Sequence, residues 1–333
     1  MPSLSAARAA NARFSPSYLP VAVFVGGTSG IGKAIAQAFA RHTRGNARIV
    51  LVGRSKAAAD AIIASFPKPA CSPASSSTAE PSANHEFVAC DVTLMKNVDA
   101  ATSLLRTRLS KVNYLVMSPG IFNLKGRDET EEGIDRRLSL EYYARWKFTR
   151  DLAPLLQRAR DAGEDGKVVT VNAAGSGQPL DETDFGLKKS YSAMKAFAQL
   201  PTYNDAMIIS FAERHPDISF VHVHPGLVRT PVLARTHWIW RALNPLVTVA
   251  LYLFSVSEEE SGELLLNALL KTGKGYSRLN GEGDDIGDKG LNVGSTDVRR
   301  GLWEHTEETL LVALGKSRLE RATSPEGSAV EST

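Results

Sequence analysis

Cysteine is scarce in this sequence, and its histidines show no arrangement typical of a metal site. Only two of the 333 residues are cysteines, Cys71 and Cys90. Two cysteines do not make a framework of disulfide bonds or a cysteine metal site, and both are explained as ordinary residues in a reducing compartment. The seven histidines have no metal-ligand spacing. The sequence therefore predicts no bound metal.

An excess of charge of one sign is also lacking. The chain has 39 basic and 36 acidic residues, a net charge of +3, which is too balanced to indicate a nucleic-acid partner. No hydrophobic segment of the signal-peptide kind precedes Val21, so we expect a cytoplasmic protein. Residues 1–20 contain arginine, alanine and serine but no acid. Two interpretations stay open for them: an N-terminal arm, which we favour, or a mitochondrial transit segment.

What the sequence does contain is a strand, a glycine-rich turn and a helix in direct succession. Val21–Val25 are apolar and mostly β-branched, which predicts a buried strand. Apolar residues then recur at helical spacing after the turn. The helix would point its free N–H groups and positive dipole end at the space above the turn, where a pyrophosphate could bind. Gly26 would make the turn, Gly30 would let the backbone approach the phosphate, and Gly32 would let the helix pack on the strand.

The glycine spacing is G-x-x-x-G-x-G, and it includes Thr28-Ser29-Gly30-Ile31-Gly32. This pattern resembles the short-chain dehydrogenase/reductase family, although Val25 stands where that family usually has threonine. The resemblance covers roughly Val21 to Leu279. It implies a single α/β domain with a doubly wound parallel Rossmann sheet, strand order 3-2-1-4-5-6 and a seventh strand. It also implies a nicotinamide cofactor, with Thr28, Ser29 and Ile31 among its contacts.

The end of the second predicted strand, Arg48–Val52, indicates which nicotinamide cofactor binds. An acidic residue there would hydrogen-bond the ribose 2′-hydroxyl, whereas an arginine would pair with a 2′-phosphate. Arg54 follows this strand, and no Asp or Glu occurs from Ile49 to Ala59. We therefore expect NADP(H) rather than NAD(H). The alternative is that Arg54 is a solvated loop residue.

Further cofactor contacts are implied by the resemblance after the third and fourth strands. Asp91 and Val92 correspond to the pair that the family places against the adenine ring, and Asp91 could also be the N-cap of the next helix. Gly120 would let the backbone pass the cofactor. It ends a Ser-Pro-Gly sequence where the family has Asn-Asn-Ala-Gly.

One long helix is predicted over Glu131–Leu156. In the family this helix carries an asparagine that anchors a proton-relay water. Glu141 stands at or near that position, and a glutamate could hold a water as a charged acceptor.

Tyr191 and Lys195 form a Tyr-x-x-x-Lys motif. On a helix these positions share a face, so the ammonium would lie beside the phenol and lower its pKa. The resemblance implies that Tyr191 donates a proton and that Lys195 also holds the nicotinamide ribose. The family's serine pair after the fifth strand reads Asn172-Ala173 here, so Ser176 is the nearest hydroxyl that could steady the substrate oxygen, with Asn172 as the alternative.

Two features bear on the position of this motif. Pro201 should break or kink the helix that follows. The interval from Tyr191 to the Pro225-Gly226 turn is about one helical turn longer than the family usually shows. Either Pro201 marks a local bulge, or the tyrosine and lysine have moved away from the nicotinamide.

Val228 and Thr230 follow the sixth predicted strand, and Thr230 matches the family's threonine that bonds the nicotinamide carboxamide. Residues 231–256 are rich in Trp, Leu, Val and Ile, and their order in the chain makes them the substrate flap. An apolar flap implies an apolar small-molecule substrate. Contact with a membrane surface is the alternative, which we do not favour.

The expected domain spans residues 21–315, with a flexible insertion at 67–85 and a disordered tail at 316–333. The expected function is NADP(H)-dependent reduction of a ketone or oxidation of an alcohol. The Ser-Pro-Gly and Asn-Ala-Ala-Gly replacements and a fungal-type Tyr-Asn-Asp at 203–205 suggest a divergent branch that serves specialised metabolism. The alternatives are an NADP(H)-binding sensor or inactive relative, and an isomerase or cyclase that retains the fold. Helices at 131–156 and 192–214 could form a dimer or tetramer interface.

Overall fold

A computed structural model describes residues 3–69, 84–121, 124–229 and 255–316. Seven parallel strands form one sheet in the order β3-β2-β1-β4-β5-β6-β7, which confirms the predicted order and the seventh strand. The strands are β1 Val21–Val25, β2 Arg48–Gly53, β3 Glu86–Ala89, β4 Tyr114–Met117, β5 Lys167–Val171, β6 Ser219–Val223 and β7 Gly275–Leu279. Thr230, most of the predicted flap, the middle of the insertion and residues 317–333 lie outside the described residues.

The sheet brings the carboxyl ends of its strands to one edge. Val25 at the end of β1 pairs with Val52 of β2 on one side and with Met117 of β4 on the other. The chain moves outward from β1 to β3 and then returns to β4, so a crevice opens between the loops that follow β1 and β4. Ligands of doubly wound sheets bind at such a reversal of strand order.

Side chains of β1 alternate between two hydrophobic layers, as the pleat of a strand requires. Val23 belongs to the layer that contains Trp146, whereas Phe24 belongs to the layer that contains Phe39. Both side chains have no exposed surface. The helices are α1 Leu4–Asn11, α2 Gly30–His42, α3 Lys56–Ala64, α4 Met95–Arg108, α5 Arg136–Leu138, α6 Ala144–Asp161, α7 Ala193–Arg214, α8 Glu258–Lys271 and α9 Thr296–Ala313.

The helix predicted over Glu131–Leu156 starts later, at Arg136, and is not α-helical throughout. The chain instead forms the short helix α5, a π-helical turn at Ser139–Tyr143, and then α6. Asp135 sets the start, because its side chain accepts hydrogen bonds from the N–H groups of Arg137 and Leu138. The preceding residues therefore stay outside the helix.

The expected break at Pro201 does not occur. Helix α7 runs from Ala193 to Arg214 with Pro201 buried inside it. A proline removes one backbone hydrogen bond, and burial of sixteen residues of this helix outweighs that loss.

The N-terminal arm contains helix α1, which packs against α8. Asn11 at its end is fully buried and donates to the backbone oxygen of Glu263 at 2.9 Å and to its carboxylate at 2.8 Å. Asn267 donates to the Asn11 side chain in turn. Polar contacts therefore hold the arm to the domain.

Candidate active site

The glycine turn after β1 is too closely packed for side chains at its glycines. Gly26 has φ +80°, a backbone conformation that favours glycine, and its N–H donates to Val52 at 2.9 Å. A Cβ atom at Gly32 would lie 2.3 Å from the Ser118 Oγ and 2.6 Å from the Gly26 oxygen. Helix α2 therefore starts in direct contact with the turn and with the loop after β4.

The start of α2 is open to an anion. Ser29 is the N-cap, and within the described part of the chain its side chain makes no capping hydrogen bond. The first backbone N–H groups of a helix have no partner inside the helix, so the turn presents them to the crevice. Gly30 has φ +57° and begins the helix beside Ile31. The predicted residues from Gly26 to Gly32 are thus brought together, and this cradle fits the pyrophosphate of a dinucleotide.

Thr28 links this turn to the end of β2. A Cβ atom at Gly53, the last residue of β2, would lie 2.9 Å from the Thr28 Oγ1. Arg54 follows Gly53 directly and is exposed. Its guanidinium is therefore available next to the place where the family binds the adenosine ribose.

Asp91 is not the N-cap of the following helix, so that alternative is wrong. Its carboxylate accepts from the Thr93 N–H at 3.1 Å and from the Thr93 hydroxyl at 2.8 Å. The N-cap of α4 is Leu94, and the distant Glu132 carboxylate accepts from the first N–H groups of this helix. Val92 beside Asp91 is 8% exposed.

Arg145 on α6 holds together the loops that follow β4 and β5. Its guanidinium is buried and donates to the Thr170 hydroxyl at 2.6 Å, to the Val171 oxygen at 2.8 Å and to the Pro119 oxygen at 2.6 Å. Burial lowers the pKa of Arg145 to about 10, and the nearby charge of Glu141 opposes this shift. No sequence motif indicates this role of Arg145.

Glu141 lies between the same two loops. Its Oε1 accepts from the Ile121 N–H at 3.2 Å, and its Oε2 is 3.5 Å from the Asn172 Nδ2. Burial raises the pKa of the Glu141 carboxyl, whereas Arg145 and the two hydrogen bonds lower it, with a net upward shift. A Cβ atom at Gly120 would lie 3.8 Å from Oε1, so the carboxylate faces the space above Gly120.

Tyr191 and Lys195 do not share a helix, so that part of the prediction is wrong. Ser192 is the N-cap of α7, and Tyr191 precedes it. Burial raises the pKa of the Tyr191 phenol, and the negative charge of Asp135 raises it further.

The Lys195 ammonium instead donates to Asp181 at 2.6 Å and to Ser190 at 2.5 Å. The Lys195 ammonium is therefore paired with a carboxylate, while burial raises the pKa of the Tyr191 phenol. The expected lowering of the phenol pKa is wrong, and the catalytic role of both residues stays a prediction.

Ser176 is exposed, and its hydroxyl donates to the Ala173 oxygen at 2.8 Å. Asn172, not Ser176, is the residue that the loop after β5 brings beside Glu141. At the next loop, Val228 forms a parallel bridge with Val256, which fixes the entry of the chain into the predicted flap. Among the described residues, no cluster could hold a metal ion and no helix is long and apolar enough to cross a membrane.

A glycine cradle at the start of α2, an exposed arginine at the end of β2 and a polar site above β4 and β5 define a dinucleotide-binding α/β protein. Residues 20–238 match the family described as short chain dehydrogenase. The chain is 33% identical over 273 residues to Oxidoreductase AN1596 of Emericella nidulans, covering 79% of this chain and 75% of that protein. It is 32% identical over 303 residues to Oxidoreductase andH of Emericella variicolor, covering 89% and 84%.

Many solved structures share the fold, among them the NADPH-bound carbonyl reductase from chicken fatty liver. The TM-score is 0.56 at 17% identity, and the match covers 81% of this chain and 99% of that one. The chain belongs to the short-chain dehydrogenase/reductase family of oxidoreductases, which confirms the membership predicted from the glycine turn.

Proposed function

We propose that this protein is an NADP(H)-dependent oxidoreductase that acts on the carbonyl or alcohol group of an apolar small molecule. The observation that carries the proposal is the uncapped start of α2 above the Gly26–Gly32 turn, with Arg54 at the end of β2. This arrangement offers backbone N–H groups to a pyrophosphate and a guanidinium to a 2′-phosphate.

The cofactor would extend from β2 across the glycine turn to the loops after β4 and β6. The residues proposed to hold it are Gly26, Thr28, Ser29, Gly30, Ile31, Gly32, Arg54, Asp91, Val92, Gly120, Tyr191, Lys195, Val228 and Thr230. When bound, the reduced nicotinamide supplies a hydride. The chain's own residues then bind the substrate, exclude water and handle the proton. The proposed catalytic residues are Tyr191 and Lys195 of the Tyr-x-x-x-Lys motif, together with Ser176.

Apolar side chains near the crevice support an apolar substrate. Ile121 and Leu124 follow β4 and are 36% and 59% exposed, and Leu227 follows β6 and is 58% exposed. Large apolar groups at the mouth of a crevice are typical of a surface that meets an apolar ligand. A place in specialised metabolism is part of the proposal, and it rests on the Ser-Pro-Gly and Asn-Ala-Ala-Gly replacements in the sequence.

A fluorescence titration with NADPH and NADH tests the cofactor. Wild type should bind NADPH more tightly than NADH. Arg54→Ala should weaken NADPH binding about 10- to 100-fold and leave NADH binding unchanged, because a hydrogen bond to a charged group contributes about 1.5–3 kcal/mol. The matched control is Lys56→Ala. Lys56 is an exposed cation two residues after Arg54, and it pairs with Asp60. Equal affinities for the two cofactors, unchanged in Arg54→Ala, would refute the NADP(H) preference.

A second candidate function is binding of NADP(H) without redox chemistry. The ion pair of Lys195 with Asp181 favours it, because it occupies the ammonium of the motif. A screen of apolar ketones and alcohols distinguishes the two functions. Oxidation of NADPH with any of these ketones supports the oxidoreductase, whereas tight binding with no cofactor consumed supports the second function.

A further inference from the structure

We propose that the loop after β7 positions Ser176 for the reaction, and that the buried Arg278 of β7 holds this loop in place. The proposal rests on the oxidoreductase function above and adds positioning residues to its site. The β7 loop comprises residues 280–292, and the β5 loop, which contains Ser176, comprises residues 172–177. Ser176 keeps the role proposed above, and the β7 loop acts through it.

Arg278 forms a buried ion pair with Asp205 on α7. Its Nε and one Nη donate to the two carboxylate oxygens at 3.0 Å and 2.9 Å, and both side chains lie inside the protein. His222 on β6 pairs with Arg278 in the sheet, and its Nδ1 lies 2.6 Å from the same carboxylate. Burial raises the pKa of Asp205, but the hydrogen bonds from His222 and Arg278 outweigh it, and the net shift is downward. The carboxylate is therefore ionised at neutral pH and fixes the direction of the guanidinium.

The other Nη of Arg278 holds the middle of the β7 loop. It donates to the backbone oxygen of Gly287 at 2.6 Å and to that of Lys289 at 3.2 Å. The Ile286 N–H donates in turn to the Arg278 backbone oxygen at 2.8 Å. Because a guanidinium donates in fixed directions, the ion pair with Asp205 also fixes where these loop residues lie.

The β7 loop lies directly against Gly175, the residue before Ser176. Gly290 has φ +66°, and a Cβ atom there would lie 2.4 Å from the Gly175 oxygen. A Cβ atom at Gly175 would lie 2.7 Å from the Ile286 Cδ1 and 3.9 Å from the nearer Nη of Arg278. The two loops therefore cannot approach more closely without moving backbone.

The residue after Ser176 is held as well. The Asn292 side chain donates to the Gly177 oxygen at 2.7 Å. On its other side Gly177 meets α7, since a Cβ atom there would lie 2.1 Å from the Thr202 Oγ1. The β7 loop thus contacts the backbone on both sides of Ser176, at Gly175 and at Gly177.

The contacts of Ser176 itself do not tie it to another element. Among the described residues, its N–H and its hydroxyl both donate to the Ala173 oxygen, at 3.1 Å and 2.8 Å, within the β5 loop. Its position in the site therefore depends on the neighbours that the β7 loop holds. A displacement of about 1 Å in a group that orients the substrate can cost about 100-fold in rate.

Variants at the contacts between the loops test the proposal. Removal of Arg278 is unsuitable, because it would leave Asp205 buried without its partner and strongly destabilise the fold. Gly290→Ala presses a methyl group onto the Gly175 oxygen. Gly287→Ala is its matched control, since Gly287 also has a positive φ, +52°, but nothing lies within 4 Å of a Cβ atom there. The two variants share the backbone strain and differ in the contact.

Asn292→Ala is the second test variant, because it removes the donor to Gly177. Its matched control is Asp288→Ala, at an exposed residue of the same loop with a side chain of nearly the same size. Both test variants should lose about 10- to 100-fold in kcat for ketone reduction. They should retain NADPH affinity, since the cradle at the start of α2 is unchanged. Both controls should keep the kcat of wild type.

A double-mutant cycle separates positioning from a general loss of stability. If the β7 loop acts through Ser176, Asn292→Ala should change kcat by less than about twofold when Ser176 is already alanine. A merely structural effect would lower kcat by the same factor in both backgrounds. Such additivity would overturn the proposal, and so would full activity of Ser176→Ala.

Hydrogen exchange gives a readout that needs no turnover. The Ser176 N–H is bonded within the β5 loop, so its exchange reports the order of that loop. Peptides that cover residues 172–178 should exchange about 10-fold faster in the two test variants than in wild type, since each weakens the hold on this loop. Exchange in the two controls should match wild type.

The outcomes separate this proposal from the proposed function. Wild-type kcat in both test variants would overturn the positioning role while leaving the oxidoreductase intact. Equal exchange in test and control variants would overturn it as well, whatever the activity. If wild type consumes no cofactor with any ketone, the proposed function fails, and exchange alone decides whether the β7 loop holds the β5 loop. Faster exchange confined to the test variants then supports that hold, and equal exchange overturns it.

Discussion

At the scale of single residues, a missing Cβ atom decides how closely α2 approaches the loop after β4. Gly32→Ala would place a methyl group 2.3 Å from the Ser118 Oγ and 2.6 Å from a backbone oxygen. The serine can rotate, but the backbone cannot yield without moving the turn. Overpacking of this kind costs about 1–3 kcal/mol.

We therefore expect Gly32→Ala to lower the midpoint of thermal unfolding and to weaken NADPH binding at least about 10-fold, since the same backbone would cradle the phosphates. Gly126→Ala is the control, because nothing lies within 4 Å of a Cβ atom there. Differential scanning fluorimetry and the fluorescence titration measure both effects. Unchanged binding in Gly32→Ala would show that the turn does not hold the cofactor.

The residues show why part of this site could be predicted from sequence and part could not. The glycine turn could be predicted because its strand, turn and helix are contiguous in sequence. The pattern of each element supports the assignment of the next. Tyr191 and Lys195 are also close in sequence, but their geometry depends on where α7 begins. Ser192 caps that helix, and this puts Tyr191 outside it. A four-residue spacing alone does not show the position of the cap.

At the scale of elements, a buried polar side chain holds helix α1 to α8. Asn11 is fully buried, donates twice to Glu263 and accepts from Asn267. Asn11→Ala would leave the Glu263 oxygens and the Asn267 amide buried without their hydrogen-bond partner. Such a loss costs about 1–3 kcal/mol. We expect a corresponding loss in the free energy of unfolding measured by urea titration.

Arg8→Ala is the control for this helix. Arg8 pairs with Glu259 at 3.1 Å, but both side chains are about half exposed. Exposed ion pairs contribute little to stability, so this variant should unfold close to wild type. Equal stability of Asn11→Ala and wild type would mean that α1 is not held to α8 in solution.

The elements were predictable where periodicity is strong. All seven strands carry short apolar runs or follow the family order, and their pairing is confirmed. The segment 131–156 has helical periodicity throughout, but Asp135 and the π-helical turn interrupt it. The contacts of that turn come from Asn204 on a distant helix, so no local pattern indicates it.

At the scale of the whole molecule, the alternation of strands and helices determines the sheet order, since crossovers between parallel strands are right-handed. The contacts that join distant loops are not determined in this way. Arg145 links the loop after β4 to the end of β5, and this contact requires the assembled sheet. The position of the Glu141 carboxylate follows from that assembly and not from its place in the sequence.

The whole molecule also has a predictable response to acid. Burial lowers the pKa of four histidines, His85, His222, His224 and His305, below their ordinary value of 6.5. For His222 the hydrogen bond from the ring to Asp205 opposes the effect of burial but does not reverse it. The folded protein therefore holds these rings neutral at a pH where the unfolded chain protonates them.

A histidine with a lowered folded pKa contributes stability above its unfolded pKa, and that stability is lost as pH falls. The free energy of unfolding should therefore begin to fall near pH 6.5, above the range in which the carboxylates titrate. Each proton taken up on unfolding gives a slope of about 1.4 kcal/mol per pH unit. Calorimetry in buffers of different ionisation enthalpy counts those protons, and His85→Gln should reduce the count. A flat stability between pH 6.5 and 5.5 would show that the rings protonate without unfolding, and that their burial does not keep them neutral.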